Sequence, residues 1–210
     1  MNWLQALILG IVQGITEFLP ISSSGHLVLA QYFLNIHVSG LLIEISLHFG
    51  TLVAIVIYYF KDLEQLSINF ISNSADARNY VFKIVIATFP AILFGLLLQN
   101  HIENMFSVSI LRWTFLITGF IIFSTFFKNL NKSRSNISIF QAIFIGFMQA
   151  FAILPGISRS GVTIAIAMIL GIRRKESAKF SFYLAIPVLL GAGILQLFKI
   201  SDIFQINYFP

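Results

Sequence analysis

Pro20-Ile21-Ser22-Ser23-Ser24-Gly25-His26 separates two apolar stretches, Trp3–Leu19 and Leu27–Leu34, and Pro155-Gly156-Ile157-Ser158-Arg159-Ser160-Gly161 separates another two, Phe140–Leu154 and Val162–Leu170. In each pair the second stretch is too short to cross a bilayer, whose hydrocarbon core of about 30 Å needs roughly 20 helical residues. Proline and glycine break the helix, and the backbone they expose needs polar partners or water. The simplest reading is two re-entrant hairpins, residues 3–34 and 140–170, each entering and leaving on one side of a membrane.

The rest of the chain fits that solvent. Of its 210 residues, 58% are hydrophobic and 10% charged, and the mean hydropathy is +0.90. A soluble domain carries roughly 25% charged and 45–50% apolar residues. Four further runs are long enough to span: Leu41–Phe60, Tyr80–Leu98, Ile110–Phe127 and Ala178–Phe198. The longest polar connection is Lys61–Asn79, with its turn expected at Asn73-Ser74-Ala75-Asp76, and Lys128–Ser138 separates two halves. These features predict an all-α, multi-pass membrane protein forming one membrane domain, residues 1–210. Cysteine is absent, which excludes disulfides, thiolate nucleophiles and cysteine metal sites. The net charge is +5, but the basic residues sit in short loops between apolar runs. That placement sets membrane orientation and argues against nucleic acid as a partner. Met1-Asn2-Trp3 lacks the basic start of a secretory signal and reads as mature sequence.

The two halves resemble copies. A fixed offset of 136 residues carries Gln5, Ala6, Gly10 and Gln13 onto Gln141, Ala142, Gly146 and Gln149, and without a gap carries Ser22, Ser24 and Gly25 onto Ser158, Ser160 and Gly161. The first repeat then covers 1–127, and the second, 139–210, is incomplete. With both breaks read as hairpins, Lys61, Arg78, Lys83, Lys128, Lys132, Arg134, Arg173, Arg174, Lys175 and Lys179 fall on one side, and only Arg112 and Lys199 on the other. The positive-inside rule puts the N-terminus outside, opens the first hairpin outward and the second to the cytoplasm, and makes the repeats inverted. Inverted repeats with broken helices meeting near the midplane are a recurring arrangement in transporters.

The breaks also carry the reactive side chains. Gln13 and Glu17 share one helical face, Ser22, Ser23 and Ser24 follow Pro20, and His26 opens the next half-helix. Ionisable groups inside a membrane are costly and by default mark function. The second break adds Arg159 between Ser158 and Ser160, with Thr163 close behind. Arginine grips phosphate oxygens through paired hydrogen bonds, and the helix start expected at Gly161-Val162 would favour an anion. Together the breaks suit a phosphate ester or diphosphate. Plainer readings stand beside this one: serine and glycine can serve close helix packing, Arg159 can pair with Glu17, and His26 can cap a carbonyl. Glu44 and His48, another i, i+4 pair, read at least equally well as a polar lining, and His37, His101 and Glu103 as solvated loop residues.

Gly10-Ile11-Val12-Gln13-Gly14-Ile15-Thr16-Glu17-Phe18-Leu19-Pro20-Ile21-Ser22-Ser23-Ser24-Gly25-His26-Leu27 resembles the first signature of the undecaprenyl-diphosphate phosphatases, the bacitracin-resistance family. Pro155-Gly156-Ile157-Ser158-Arg159-Ser160-Gly161-Val162-Thr163 is similar to its second, as are the stretches around His48 and Pro90 to other family regions. The resemblance runs to about residue 198. It implies removal of the terminal phosphate of undecaprenyl diphosphate, which recycles the lipid carrier of cell-wall synthesis and gives bacitracin resistance. It also implies a multi-pass protein of the bacterial plasma membrane with its site on the periplasmic or outer side. Dependence on a divalent cation, Mg²⁺ or Ca²⁺, comes with it. The family roles fall on Glu17 and Gln13 for metal or acid–base work, on Ser23 and His26 for attack and proton transfer, and on Arg159 for the diphosphate. Ser22, Ser24, Gly25, Ser158, Ser160, Gly161 and Thr163 are the further substrate-binding candidates.

Two departures stand out. Gln13 occupies a position where many members have glutamate, so the carboxylate role shifts to Glu17. The chain ends at Pro210, short of the further helices of typical members, and a homodimer is one way to complete it. Ser23 with His26 as base, direct attack by His26, and attack by activated water remain open at this point. The partners expected are a polyprenyl diphosphate and membrane lipids. A polyprenyl-phosphate flippase and an inactive short paralogue are the competing readings.

Overall fold

Asn2 and Ser138 start two helices in the same way. Each side chain accepts the backbone N–H of the glutamine three residues on, Gln5 or Gln141, and that glutamine's side chain accepts the cap's own N–H. These reciprocal bonds are capping boxes, and they open α1 (Trp3–Thr16) and α7 (Ile139–Phe151). Ser22 and Ser158 cap the returning helices α2 (Ser23–Phe33) and α8 (Arg159–Ile169), accepting from the N–H of Gly25 at 3.2 Å and of Gly161 at 3.0 Å. Gln5 Nε2 then donates to the Leu34 carbonyl at 3.1 Å, and Gln141 Nε2 to the Leu170 carbonyl at 3.0 Å. Those bonds tie the end of each returning helix to the start of the outgoing one. Helices of 14, 11, 13 and 11 residues closed this way are hairpins whose arms are each too short to cross a bilayer. The same bonds recur at the 136-residue offset.

This computed structural model describes residues 1–36, 40–104, 107–128 and 134–208, and the side chains of 40–42, 44, 99–104 and 196–208 lie outside the description. The readings on Glu44, His37, His101, Glu103, Lys132 and Lys199 therefore fall outside the described residues. Within them the remaining helices are α3 (Gly40–Tyr58), α4 (Phe60–Ile71), α5 (Ala75–Asn104), α6 (Val108–Ser124) and α9 (Arg174–Tyr208). Three are long and apolar enough to span, over Ala75–Leu98, Val108–Phe127 and Arg174–Leu195.

The breaks are shorter than the sequence suggests. The sequence puts Ser22–Gly25 in a loop, with helices resuming at His26 and near Gly161. Instead α2 starts at Ser23 and α8 at Arg159, because the serine caps satisfy the first-turn N–H groups. Helix α1 ends at Thr16 with Glu17 as its C-cap, ahead of Pro20. The expected span Leu41–Phe60 also differs. Helix α3 stops at Tyr58, and α4 leaves it at 73°. Part of the expected polar connection is thus helical: Leu63, Leu66 and Phe70 recur at helical spacing, with Asp62, Glu64, Gln65 and Asn69 between them. The turn falls at residues 72–74, with Asn73 at φ +67°, and Asp76 already lies in the first turn of α5.

Apolar side chains cover the outer surface as well as the core, and many polar ones are buried. Trp3, Leu4, Leu7, Ile11 and Ile15 of α1 are exposed, whereas Gln13, Thr16, Glu17, Ser22, Ser23, Thr51, Thr118, Gln149, Ser158 and Ser160 are buried. A lipid-facing apolar surface with polar residues between helices is the arrangement a bilayer selects. Helix α5 packs along α7 and α9, and α9 along α3 and α8, so the hairpins are held between the long helices.

Candidate functional site

The two hairpin tips meet. Gly156 N–H donates to Ser24 Oγ at 3.3 Å, and Ser160 Oγ donates to the Glu17 carbonyl at 3.3 Å. Glycine is required at the contact: a Cβ on Gly25 would enter the Phe115 ring and stand 3.0 Å from Gly156 Cα. One on Gly161 would stand 2.9 Å from Ser158 Cβ and 3.1 Å from the Pro20 carbonyl oxygen. Gly156 itself has φ +79°, a conformation that costs other residues steric energy. Thr118 of α6 pins this turn from behind, accepting from Ser158 N–H at 3.1 Å and donating to the Gly156 carbonyl at 3.3 Å.

Glu17 is the centre of the junction. It is 6% exposed, and its carboxylate is surrounded by donors from four elements. Arg159 Nη2 lies 2.5 Å from Oε1. Oε2 faces His48 Nε2 at 3.2 Å and Gln13 Nε2 at 3.2 Å, and also accepts from the Ser23 hydroxyl. Gln13 Nε2 has a second acceptor in Thr51 Oγ1 at 3.1 Å. A buried carboxylate is stable only when paired and hydrogen-bonded, and here one charge partner and several donors converge on it. Arg159 Nη1 is buried with no partner among the described residues, as is Gln13 Oε1.

This polar cluster closes one end of a cavity of about 470 Å³. Glu17, Ser22, Ser23, Ser24, His48, Ser158, Arg159 and Ser160 line it on the polar side. The apolar side comes from Ala91, Ile92 and Leu96 of α5 and from Val188, Leu189, Ala192 and Leu195 of α9. A charged group at one end and a hydrocarbon wall along the rest accommodate an amphiphile with an anionic head.

Not every residue expected from the sequence reaches the cavity. Gly25 and Gly161 serve the tip-to-tip contact, and Thr163 donates from Oγ1 to the Arg159 carbonyl at 2.8 Å while lying 2.6 Å from Ser181 Oγ of α9. His26 is turned away from Glu17. Its Nδ1 lies 2.7 Å from the Ser22 carbonyl, and its ring packs on Phe115 at a centroid distance of 5.3 Å. The plainer readings of Arg159 as partner to Glu17, and of His26 as bonded to a carbonyl, thus describe the geometry seen. His48, which the sequence left as a polar lining, instead contacts Glu17, and the signal for it was an ionisable group inside an apolar run. Thr51 and Thr118 had no such signal, because threonine in a membrane helix ordinarily bonds its own backbone.

Among the described residues no three His, Cys, Asp or Glu side chains gather as a metal site. The available hard donors are the Glu17 carboxylate and the unpartnered Gln13 Oε1 beside it. One carboxylate with neutral oxygens suits a cation shared with phosphates better than a closed protein cage.

The family model for the bacitracin resistance protein BacA matches residues 6–208. Undecaprenyl-diphosphatase 4 of Bacillus thuringiensis (strain Al Hakam) is 42% identical over 207 residues, covering 98% of this chain and 76% of the relative. The undecaprenyl-diphosphatase of Thermosipho africanus is 42% identical over 198 residues, covering 93% of this chain and 79% of the relative. That of Alcanivorax borkumensis is 41% identical over 209 residues, covering 93% and 77%. With nearly the whole chain matched, and with the two signature breaks folded against each other around one carboxylate, the protein belongs to the bacitracin resistance protein BacA family.

Proposed function

We propose that this protein hydrolyses undecaprenyl diphosphate to undecaprenyl phosphate and inorganic phosphate in the bacterial plasma membrane, with its site on the outer side. One observation carries the reading: a hydrocarbon-walled cavity ends on Arg159, Glu17, Ser23 and His48. The prenyl chain lies along α5 and α9, and the diphosphate meets the hairpin tips. A flippase would need the cavity but not a carboxylate bonded to a serine hydroxyl at its end.

Phosphoryl transfer is mainly positioning and charge stabilisation. Arg159 holds Glu17 through Nη2, and its buried Nη1 is the arm left for a phosphate oxygen. Ser23 Oγ attacks the terminal phosphorus as its proton passes to Glu17, its acceptor in the resting site. The bond from that phosphorus to the bridging oxygen breaks, and undecaprenyl phosphate leaves with the electron pair. Water then cleaves the phosphoserine, releasing phosphate and restoring the hydroxyl. A carbonyl can only accept, so Nδ1 of His26 carries hydrogen toward Ser22 and Nε2 is the basic nitrogen. In the water step Glu17 returns the proton it took to Ser23 Oγ while the water's hydrogens leave on the phosphate, and His48 balances the charge of Glu17. Glu17 and Gln13 Oε1 would hold a Mg²⁺ or Ca²⁺ ion, which would supply positive charge to offset that of the phosphates.

The long helices support an outer-side site. Tyr80 near the start of α5 packs on Phe180 and Tyr183 near the start of α9, at centroid distances of 6.1 and 6.0 Å. The two helices therefore begin at one face, where Arg78, Lys83, Arg174, Lys175 and Lys179 also lie. The cavity is lined by their later halves, up to Leu96 and Leu195. By the positive-inside rule this charge placement favours the first face as cytoplasmic and the cavity face as outer.

The test is phosphate release from undecaprenyl diphosphate by purified protein in detergent, where no transport is measurable. Release that Glu17→Ala and Arg159→Ala both abolish is expected. Release unaffected by either substitution would refute the assignment of the site.

A further inference from the structure

Gln149 lies one turn before the end of α7, at the position matching Gln13 of α1. The two amides differ in what surrounds them. Gln13 donates to Glu17 and Thr51. At the same 136-residue offset, Ile153 stands in place of Glu17 and Pro187 in place of Thr51. Gln149 is 1% exposed, and neither its Oε1 nor its Nε2 has a hydrogen-bond partner among the described residues. It nevertheless lines the cavity, together with Ile153, Ile157 and Ser158.

A buried amide left unpaired opposes folding, and an apolar side chain of similar size would pack there without that cost. An amide unpaired within the protein, on a residue of a ligand cavity's wall, finds its partner in the ligand. The occupant argued above, a polyprenyl diphosphate, has a tail with no hydrogen-bonding atoms and a head rich in acceptor oxygens. An amide N–H meets the head only. We propose that Gln149 is a further substrate-binding residue, donating from Nε2 to a phosphate oxygen while Oε1 accepts from water held beside the head group. This rests on the diphosphatase reading of the cavity. It gives the second repeat two contacts with the head, Arg159 by charge and Gln149 by a neutral amide.

The experiment uses the full chain in detergent, with Gln149→Leu and Gln149→Glu compared to the unaltered protein. Three quantities are read: the melting temperature, the affinity for a non-hydrolysable prenyl methylenediphosphonate, and the affinity for the prenyl alcohol of equal chain length. Gln149→Leu is expected to melt at the same temperature or higher and to bind the diphosphonate about tenfold more weakly. Its affinity for the alcohol, which reports the tail alone, stays unchanged. Gln149→Glu is expected to bind the diphosphonate more weakly still, since it sets a carboxylate against the phosphates. Unchanged diphosphonate affinity in Gln149→Leu would overturn the proposal, as would a lowered melting temperature with equal losses for both ligands, which marks a packing role. If the unaltered protein failed to bind the diphosphonate, the activity itself would fall. If it bound and the leucine variant bound equally well, only the role of Gln149 would fall.

Discussion

Thr118→Val tests whether the site depends on the way α6 holds the second hairpin tip. The substitution nearly conserves volume but removes one hydroxyl, which accepts from Ser158 N–H at 3.1 Å and donates to the Gly156 carbonyl at 3.3 Å. Both backbone groups belong to buried residues. Each stranded group costs about 1–3 kcal/mol, so the pair amounts to about 2–6 kcal/mol, directed at the turn that carries Arg159. Two outcomes are expected together. The melting temperature falls, and turnover drops by about 10², the scale of loss when a clamp is displaced by roughly 1 Å. Thr118→Ser, which keeps the hydroxyl, restores both. The assay is phosphate release in detergent alongside a thermal melt on the same preparation. A valine variant with the original turnover and melting temperature would refute the argument that Thr118 fixes the clamp.

Arg159→Lys is expected to lower kcat by about 10²–10³ although the charge is kept, because one ammonium cannot serve both Glu17 and a phosphate oxygen as the guanidinium fork does. Near-normal turnover by the lysine variant would remove Arg159 from the clamp. Glu17→Gln is expected to abolish stimulation by Mg²⁺ or Ca²⁺, measured by titrating metal into chelator-treated protein; unchanged stimulation would exclude Glu17 as a ligand. Quenched reactions with labelled substrate are expected to leave phosphate on Ser23. Label recovered on His26 would refute Ser23 as the nucleophile.

The architecture was legible because two of its causes are local. Helix-breaking prolines and glycines act within a few positions, so the hairpins are readable from Pro20, Gly25, Pro155 and Gly156, and their recurrence at a fixed offset from Gln5, Gln13, Ser22 and their counterparts. What misled was the length of the breaks. Proline at 20 suggests where a helix must have stopped, but α1 had already ended at Thr16, and the serines following it were read as loop although they start α2. Tyr59 shows a different failure. Leu41–Phe60 is one uninterrupted apolar run, and nothing in its composition announces the 73° bend. Helix α4 was masked by its charges, since an amphipathic segment with no buried residue looks like a linker until its spacing is examined.

The site was legible in its residue types and illegible in its pairings, for a reason that belongs to membrane proteins in general. In an apolar sequence every ionisable side chain stands out, so Glu17, Arg159, His26 and His48 are conspicuous one by one. Which of them meet is decided by tip-to-tip packing across 142 residues of separation between Glu17 and Arg159, and by which face of α3 turns inward. Proximity in sequence favoured His26 as the partner of Ser23, three residues away. Folding instead directs the Ser23 hydroxyl to Glu17 and gives His26 a carbonyl four residues back, while His48 arrives from α3. Helical geometry explains the exchange. Once α2 begins at Ser23, residues 23 and 26 lie in its first turn, where Ser22 O is within reach of the imidazole and Glu17, at the end of α1, is within reach of the serine. The same serine cap that shortened the break therefore also sets the hydrogen-bond acceptor of Ser23.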